Sequence, residues 1–411
     1  MTSPQPQSQV GITGAWFDPL DPRTWSGMFA RVIEEFENMG VYAGFRDAGP
    51  LAGASRALYH WMGLTGRAGG SWMLEPEMRA AAWLSIPAIR RRRPRNAGAW
   101  IVPAGTVGRP VVEPEVAWCE LSPAQLLDLG SRAADFGLAG VTAGQLRSVA
   151  QAHLRLHRRA RASCAVSASA ARSLVDDSGL DPARVHVVGC GRNIEPSGSM
   201  NQDWSRPRFL FVGNDWRRKN GEAVLRAFAR LREWRPDARL DVAGGHPAID
   251  QPGVVAHGPL RLDRDDDRAR LGDLFAGSTC LVMPSFMEPF GIVYVEAASF
   301  GVPSIAGSVG GTATSVGEGG ILVDPADDAA ILEAMRRMAE ERCAAELGAR
   351  ARQRSEQFTW PKVAQRLLRA CGPPLSDGLE LADFIPVDLG PAGAAAGQPP
   401  SLVTEPQEGS T

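Results

Sequence analysis

Only two of the 44 basic residues are lysines, Lys219 and Lys362, so a reaction that anchors a cofactor as a lysine imine has two positions to choose from. The six cysteines (Cys119, Cys164, Cys190, Cys280, Cys343 and Cys371) form no CxxC pair. Scattered thiols point to a reducing, cytoplasmic setting and argue against a disulfide frame or a zinc site. No run approaches the ~18 uncharged apolar residues of a membrane helix. The first nine residues have neither a basic start nor an apolar core, so no signal peptide is expected there. The patterns GxGxxG after an early strand, GxxxxGKS/T and GxSxG are also missing. His153 and His157 share a helix face but lack a third ligand, and the other histidines show no metal spacing.

What is present reads as an ordinary soluble protein. A length of 411 residues suggests two domains, and 44% hydrophobic with 22% charged residues excludes wholesale disorder, a collagen-like fibre and a disulfide miniprotein. The stretch from Gly372 onward holds six acids and no base, which leaves 44 bases against 40 acids before it. So weak a basic balance suits a small anionic ligand and excludes a nucleic-acid footprint.

The run 390–400 is low in complexity and has no apolar period, so a disordered tail is expected over 372–411. Pro, Gly, Ser and Asn cluster over 195–206 and mark a linker. After it, strand-like runs at 209–213, 240–245, 280–284 and 302–306 interleave with helical spacing at 222–234, 265–275, 292–299 and 326–338. Before it, strands are expected at 41–45, 100–103, 116–120, 164–166 and 185–188, with helices at 26–39, 77–86, 145–159 and 168–176. Such alternation predicts two α/β, Rossmann-like domains, 1–195 and 206–357, each a parallel sheet covered on both faces, with a cleft between them. In such sheets ligands bind beyond the carboxyl ends of the strands.

The sharpest constellation is Glu288-Pro289-Phe290-Gly291-Ile292-Val293-Tyr294-Val295-Glu296, which follows the strand ending at Pro284 and opens a helix. Gly291 lets a ligand approach the backbone, and the free N–H groups after it, with the helix dipole, favour an anion. Two carboxylates beside an anion site suit a ligand that carries both phosphate and hydroxyls. As a bare strand–loop–helix, the same segment reads first as a solvated loop acid and an acid on an outer helix face. Arg217-Arg218-Lys219 divides in the same way. Fixed cations aimed at a departing diphosphate lower a barrier by about 3–4 kcal/mol each, whereas a solvated turn does nothing. Asp265-Asp266-Asp267 opens a helix, so an N-terminal dipole role outweighs a metal site. Arg90-Arg91-Arg92-Arg93-Pro94-Arg95 reads as a solvated helix end or as a weak peripheral contact with anionic lipid.

These segments resemble the retaining GT-B glycosyltransferases of family 4, the glycosyl transferases group 1. The spacing from Glu288 to Glu296 is similar to the family's E-x7-E motif. Phe211-Val212-Gly213-Asn214-Asp215-Trp216-Arg217-Arg218-Lys219-Asn220-Gly221 resembles the first strand and basic phosphate loop of its second domain. Gly301-Val302-Pro303-Ser304-Ile305-Ala306, Gly310-Gly311-Thr312 and Gly319-Gly320-Ile321-Leu322-Val323-Asp324-Pro325 resemble the surroundings that close the site. The likeness runs from 208 to 370, and more weakly through Thr24-Trp25-Ser26-Gly27, Val166-Ser167 and Val187-Val188-Gly189-Cys190-Gly191.

The resemblance implies a GT-B fold with a last helix, 358–371, that crosses back to the first domain. It implies a hexosyltransferase-type enzyme that moves a sugar from a nucleotide-diphosphate sugar to an acceptor (glycan, lipid or small molecule) with retention, using no cofactor and no metal. Glu288, Arg218 and Lys219 would form the catalytic set. Glu296 would hold the ribose, with Gly291, Ile292, Phe290, Gly213, Gly311 and Thr312 around the donor and Gly27 lining the cleft from the first domain. Asn214 departs from the family, where many members carry Arg, and so does Thr314, where many carry Glu. No histidine matches the one often found at the first domain's edge. The alternatives are a GT-B epimerase, or a degenerate member that binds nucleotide-sugar or a partner without turnover. A phosphorylase is nearly closed off, because Lys219 and Lys362 are the only lysines.

Overall fold

The computed structural model describes residues 9–13, 24–46, 97–104, 115–129, 141–196 and 202–390. The helix expected at 77–86 and the arginine run at 90–95 lie outside them. The first lobe holds strands β1 (Gln9–Thr13), β2 (Tyr42–Arg46), β3 (Ala97–Pro103), β4 (Val116–Cys119), β5 (Ala162–Ala165) and β6 (Val185–Val187), in the order β2-β1-β3-β4-β5-β6. Its described helices are α1 (Met28–Asn38), α2 (Pro123–Asp128), α3 (Ala143–Arg159) and α4 (Ala168–Asp176). The second lobe holds β7 (Arg208–Val212), α5 (Gly221–Trp234), β8 (Arg239–Ala243), β9 (Val254–Gly258), α6 (Asp265–Ala276), β10 (Cys280–Met283), α7 (Ile292–Ser299), β11 (Ser304–Gly307), α8 (Thr312–Val316), β12 (Gly320–Val323) and α9 (Asp328–Met338). α10 (Glu341–Ser355) and α11 (Trp360–Cys371) follow.

Every strand pair is parallel, and β4, β5, β10 and β11 are buried along their whole length. Continuous apolar runs such as Cys280-Leu281-Val282-Met283 form these strands because helices cover both faces. The helix starts follow local chemistry. Ser122 and Thr142 each form a capping box with the glutamine three residues on, and Ser167 caps α4 through the Ala170 N–H. The order β12-β11-β10-β7-β8-β9 reverses between β7 and β10, the doubly wound arrangement whose switch point opens a crevice at the strands' carboxyl ends.

Each lobe has its own core. Phe209, Phe211, Phe228 and Phe275 anchor the second. The first combines Phe29 and Trp118, edge to face at 5.3 Å, with residues from the far end of the chain: Phe358, Trp360, Val363, Leu367 and Leu368. α11 thus crosses back and packs beside α1. Its first turn is set by Thr359, which accepts from the Lys362 N–H, with Pro361 just inside the start.

The disorder expected from residue 372 does not hold for 372–390, which pack on the first lobe. Leu375 and Ile385 are buried, and the Ile385 N–H donates to Val187 O at 3.0 Å in an antiparallel bridge. Phe384 stacks on His186 at 4.0 Å, and Arg366 Nε donates to Asp383 O at 2.7 Å. The physical reason is an alternation overlooked beside the low-complexity run: Leu379, Leu381, Ile385, Val387 and Leu389 fall on one face, while Glu380, Asp383 and Asp388 stay exposed. The strands β1 and β9 and the helices α2 and α10 are additions that the apolar spacing did not reveal.

Candidate functional site

The two loops at the switch point carry most of the predicted site. The loop after β7 starts at Gly213, whose N–H donates to Ala243 O at 3.0 Å and so extends the sheet by one bond. Trp216 then folds over the start of α5: its ring packs edge to face on Phe211 at 5.1 Å and its Nε1 donates to Glu222 at 2.9 Å. This turn directs Arg218 and Lys219 toward the loop after β10. A Cβ on Gly213 would lie 2.9 Å from Lys219 Cγ, so the lysine stem occupies the space a side chain there would need.

Glu288 meets both cations. Lys219 Nζ stands 2.5 Å and Arg218 Nη1 3.2 Å from the same oxygen, Oε2. Arg218 is further held by Met287 O and by Asp215, each at 3.2 Å. Among the described residues Glu288 Oε1 has no hydrogen-bond partner. Lys219 and Glu288 are buried at 9% and 8% exposure, so the pair sits in a weak dielectric. Burial pushes the Glu288 carboxyl up, but Lys219 and Arg218 pull harder and leave it below its ordinary value. Burial, aided by Arg218 against the pull of Glu288, holds the Lys219 ammonium below its own.

Gly291 begins α7 at φ +79°, a conformation glycine adopts without cost. A Cβ there would run into the Tyr294 ring at 2.4 Å, and the Tyr294 hydroxyl donates to Met283 O at 2.7 Å. The glycine therefore seats a tyrosine as well as turning the chain. Ile292 follows as the first helical residue, half-buried against the first lobe's core. Glu296 lies on the next turn, buried, and accepts from the Asn193 N–H at 3.1 Å. Burial pushes its carboxyl up to about 7, against the pull of that N–H.

Gly311 is a point of close approach. A Cβ there would stand 1.8 Å from Pro289 O and 2.6 Å from the Ser167 side chain of the first lobe. Next to it the Ala168 N–H donates to Thr314 Oγ1 at 2.9 Å, so the two lobes meet at the start of α4. Gly27, buried at φ +79°, precedes α1 on the first-lobe side.

Gly213, Arg218, Lys219, Glu288 and Gly311 are brought together on the two switch-point loops and the loop beside them. Glu296 is one helical stretch away, toward the linker. At two of the predicted donor contacts the side chains have protein partners. Phe290 is buried in the first-lobe core, edge to face on Phe358 at 5.4 Å. The Thr312 hydroxyl is spent on Gly307 O at 2.6 Å. An apolar ring and a back-bonded hydroxyl are more stable there than facing water.

Sequence reasoning passed over Glu120 and Asn193. Glu120 follows β4 at its carboxyl end, half-buried. Burial first, then Glu288, raise its carboxyl to about 7 against the pull of Arg218, which places it within electrostatic reach of that cluster. Its position at the carboxyl end of the strand expected over 116–120 was the available signal. Asn193 lies at the edge of the linker and gave no signal in the sequence.

Residues 206–341 match the family model described as "Glycosyl transferases group 1". The D-inositol 3-phosphate glycosyltransferase of Nocardiopsis dassonvillei is 31% identical over 235 residues, 50% of this chain and 54% of that protein. The protein of the same name from Thermobifida fusca is 31% identical over 230 residues, 49% of this chain and 52% of its own. The chain thus spans about half the length of the curated relatives it matches. Among solved structures, sucrose-phosphate synthase from Thermosynechococcus elongatus superposes with a TM-score of 0.63 at 18% identity, covering 88% of this chain and 97% of that one. WaaG, a glycosyltransferase involved in lipopolysaccharide biosynthesis, gives 0.58 at 14%, covering 89% and 100%. The chain has the GT-B fold, and its residues 206–341 match the model of the group 1 glycosyl transferases.

Proposed function

We propose that the chain is a hexosyltransferase-type enzyme that transfers a sugar from a nucleotide-diphosphate sugar to a hydroxyl-bearing acceptor, with retention and without a metal. The observation that carries the reading is the convergence of Lys219 and Arg218 on one oxygen of Glu288 at the sheet's switch point. A diphosphate entering beside Arg218 and Lys219 takes over part of the neutralising role that Glu288 fills in its absence. As the sugar–phosphate bond breaks, negative charge grows on the leaving diphosphate, and the two cations are already in place to meet it. Such preorganised groups contribute about 3–4 kcal/mol each. Glu288 Oε1, free of protein partners among the described residues, accepts a hydrogen bond from a donor-sugar hydroxyl. Glu296 accepts from the ribose, and the N–H groups opening α7 add a positive dipole end. Glu120, at the carboxyl end of β4 and within electrostatic reach of Glu288 and Arg218, would receive an acceptor hydroxyl that arrives from the first lobe. The six cysteines are free, as suits a cytoplasmic protein, and no helix among the described residues is long and apolar enough to cross a membrane.

The test is a thermal-shift screen against UDP, GDP and ADP and their sugars. The best donor is then incubated with candidate acceptors, D-inositol 3-phosphate among them because the relatives' name contains it, and the product anomer is read by NMR. A melting shift with one nucleotide class and a product of unchanged anomeric configuration is the expected result. No shift with any nucleotide overturns the donor site. Binding without turnover of any acceptor, and without donor hydrolysis, favours a protein that only binds nucleotide-sugar.

A further inference from the structure

Asn193 touches three separate parts of the molecule. Its backbone N–H donates to Glu296 Oε1 at 3.1 Å, on α7 of the second lobe. Its side-chain Nδ2 donates to Ser26 O at 3.1 Å, in the turn that opens α1 of the first lobe. Its Oδ1 accepts from Trp360 Nε1 at 3.1 Å, at the start of the crossing helix. The amide orientation is dictated by its partners. An indole N–H can only donate and a carbonyl can only accept, so the residue must offer one acceptor and one donor from a short side chain. Asparagine fits both; aspartate and leucine do not.

The neighbours clamp this residue. A Cβ on Gly191 would lie 2.5 Å from the Trp360 ring, so the stretch ahead of the linker lies flat on the indole. Arg192 Nη1 donates to Ser355 O at 3.1 Å. At the other end, Ser26 and Gly27 have consecutive positive φ angles of 54° and 79°. A non-glycine residue in that region is disfavoured unless its surroundings hold it, and the bond from Asn193 to Ser26 O is one such hold.

We propose that Asn193 is a positioning residue that couples nucleotide occupancy at Glu296 to the Ser26-Gly27 turn of the first lobe. The proposal rests on the reading of Glu296 as the ribose acid. Hydroxyl donors from a ribose favour the charged carboxylate, and a charged acceptor binds the Asn193 N–H about twice as strongly as a neutral one. That difference between the free and bound states is what shifts an equilibrium. The backbone at Asn193, just ahead of the linker, is then held against α7, and the Asn193 amide passes the constraint to Ser26 and Trp360. Donor binding thereby orders the first-lobe turn beside Gly27 before an acceptor arrives.

The experiment uses the full chain with UDP, GDP or ADP, whichever gives the largest melting shift, and reads amide hydrogen exchange in peptides covering 24–38. In the wild type, saturating nucleotide should slow exchange there at least about threefold. Asn193→Asp keeps the backbone N–H and the acceptor for Trp360 but loses the donor to Ser26. It should bind the nucleotide within about threefold of the wild type, by calorimetry, and show no slowing in 24–38. Trp360→Phe removes the Nε1 donor together with part of the buried indole ring and should give a reduced response, which keeps the test open if Asn193→Asp folds poorly. A wild-type response in both variants overturns the coupling, as does a bound wild type with no slowing. Nucleotide affinity that falls tenfold in Asn193→Asp also overturns it, because the residue is then merely structural to the donor site. A Glu296→Ala variant with unchanged affinity overturns the ribose reading instead.

Discussion

Lys219 stands in a chain that uses arginine almost everywhere else, and its surroundings show why a slim side chain fits. Its stem crosses Gly213 and its ammonium reaches Glu288 Oε2 at 2.5 Å, in a space already shared with the Arg218 guanidinium. Lys219→Ala should lower turnover at least about a hundredfold, the loss expected for one preorganised cation; a steady-state assay near wild-type rate would remove Lys219 from the machinery. Glu296 supports a different measurement. Its carboxyl rises to about 7 when folded, against an ordinary 4.5. The folded protein therefore binds more protons than the unfolded chain between those values, so this group's contribution to stability falls as pH rises from about 4.5 to about 7, and then levels. Glu296→Gln should flatten that part of the profile in urea titrations. An unaltered slope would mean that the acid is ionised throughout. Calorimetry of Glu296→Ala with the preferred nucleotide should also show at least tenfold weaker binding.

At the scale of elements, α3 and the strap over 372–390 both pack into the first-lobe core. His153 and His157 lie buried on α3; neither His153 nitrogen has a partner among the described residues, and His157 reaches only Ser163. Burial lowers them to about 4 and about 3. The unfolded chain takes up their protons first, so stability should be lost as pH falls from about 6.5 toward 4. His153→Leu should be at least as stable as wild type at neutral pH and less acid-labile in denaturant melts, because it removes two unpaired buried nitrogens. Truncation after Cys371 should lower the melting temperature by about 5 °C or more, since Leu375 and Ile385 lose their burial. An unchanged melt would mean that the strap contributes nothing. The regular elements with strong apolar periods, such as α4, α7 and β10, were legible in the sequence nearly to the residue. The strap was not, because a period of two interrupted by Asp383 and followed by an alanine-rich run looks polar on average.

For the whole molecule, the GT-B architecture was legible because alternating strands and helices admit few topologies. The pairing of Lys219 with Glu288, 69 residues apart, was legible only through a motif, and the side-chain fates of Phe290 and Thr312 not at all. Periodicity reports which face is apolar, not which apolar residue the partner lobe claims. Glu120 and Asn193 escaped for a related reason: each gains its meaning from a group on the other lobe. The shared first-lobe core supplies a test at this scale. A fragment ending at residue 358 lacks Trp360, Val363, Leu367 and Leu368 beneath α1 and should show the second lobe's melting transition alone; adding the missing segment in trans should restore that of the first. A fragment in which the first lobe's amides already show full hydrogen-exchange protection would show that this lobe is self-sufficient.

The crossing helix also sets a timetable for biosynthesis. The ribosome makes the first lobe's sheet early but delivers its final wedge last, after roughly 180 further residues, a wait of about 10–40 s at ordinary elongation speeds. Through that interval the nascent amino-terminal half carries an open greasy trough, while the half made later can mature on its own. Assembly of this protein therefore runs out of order with its translation, and a holdase that shields the trough should raise the yield.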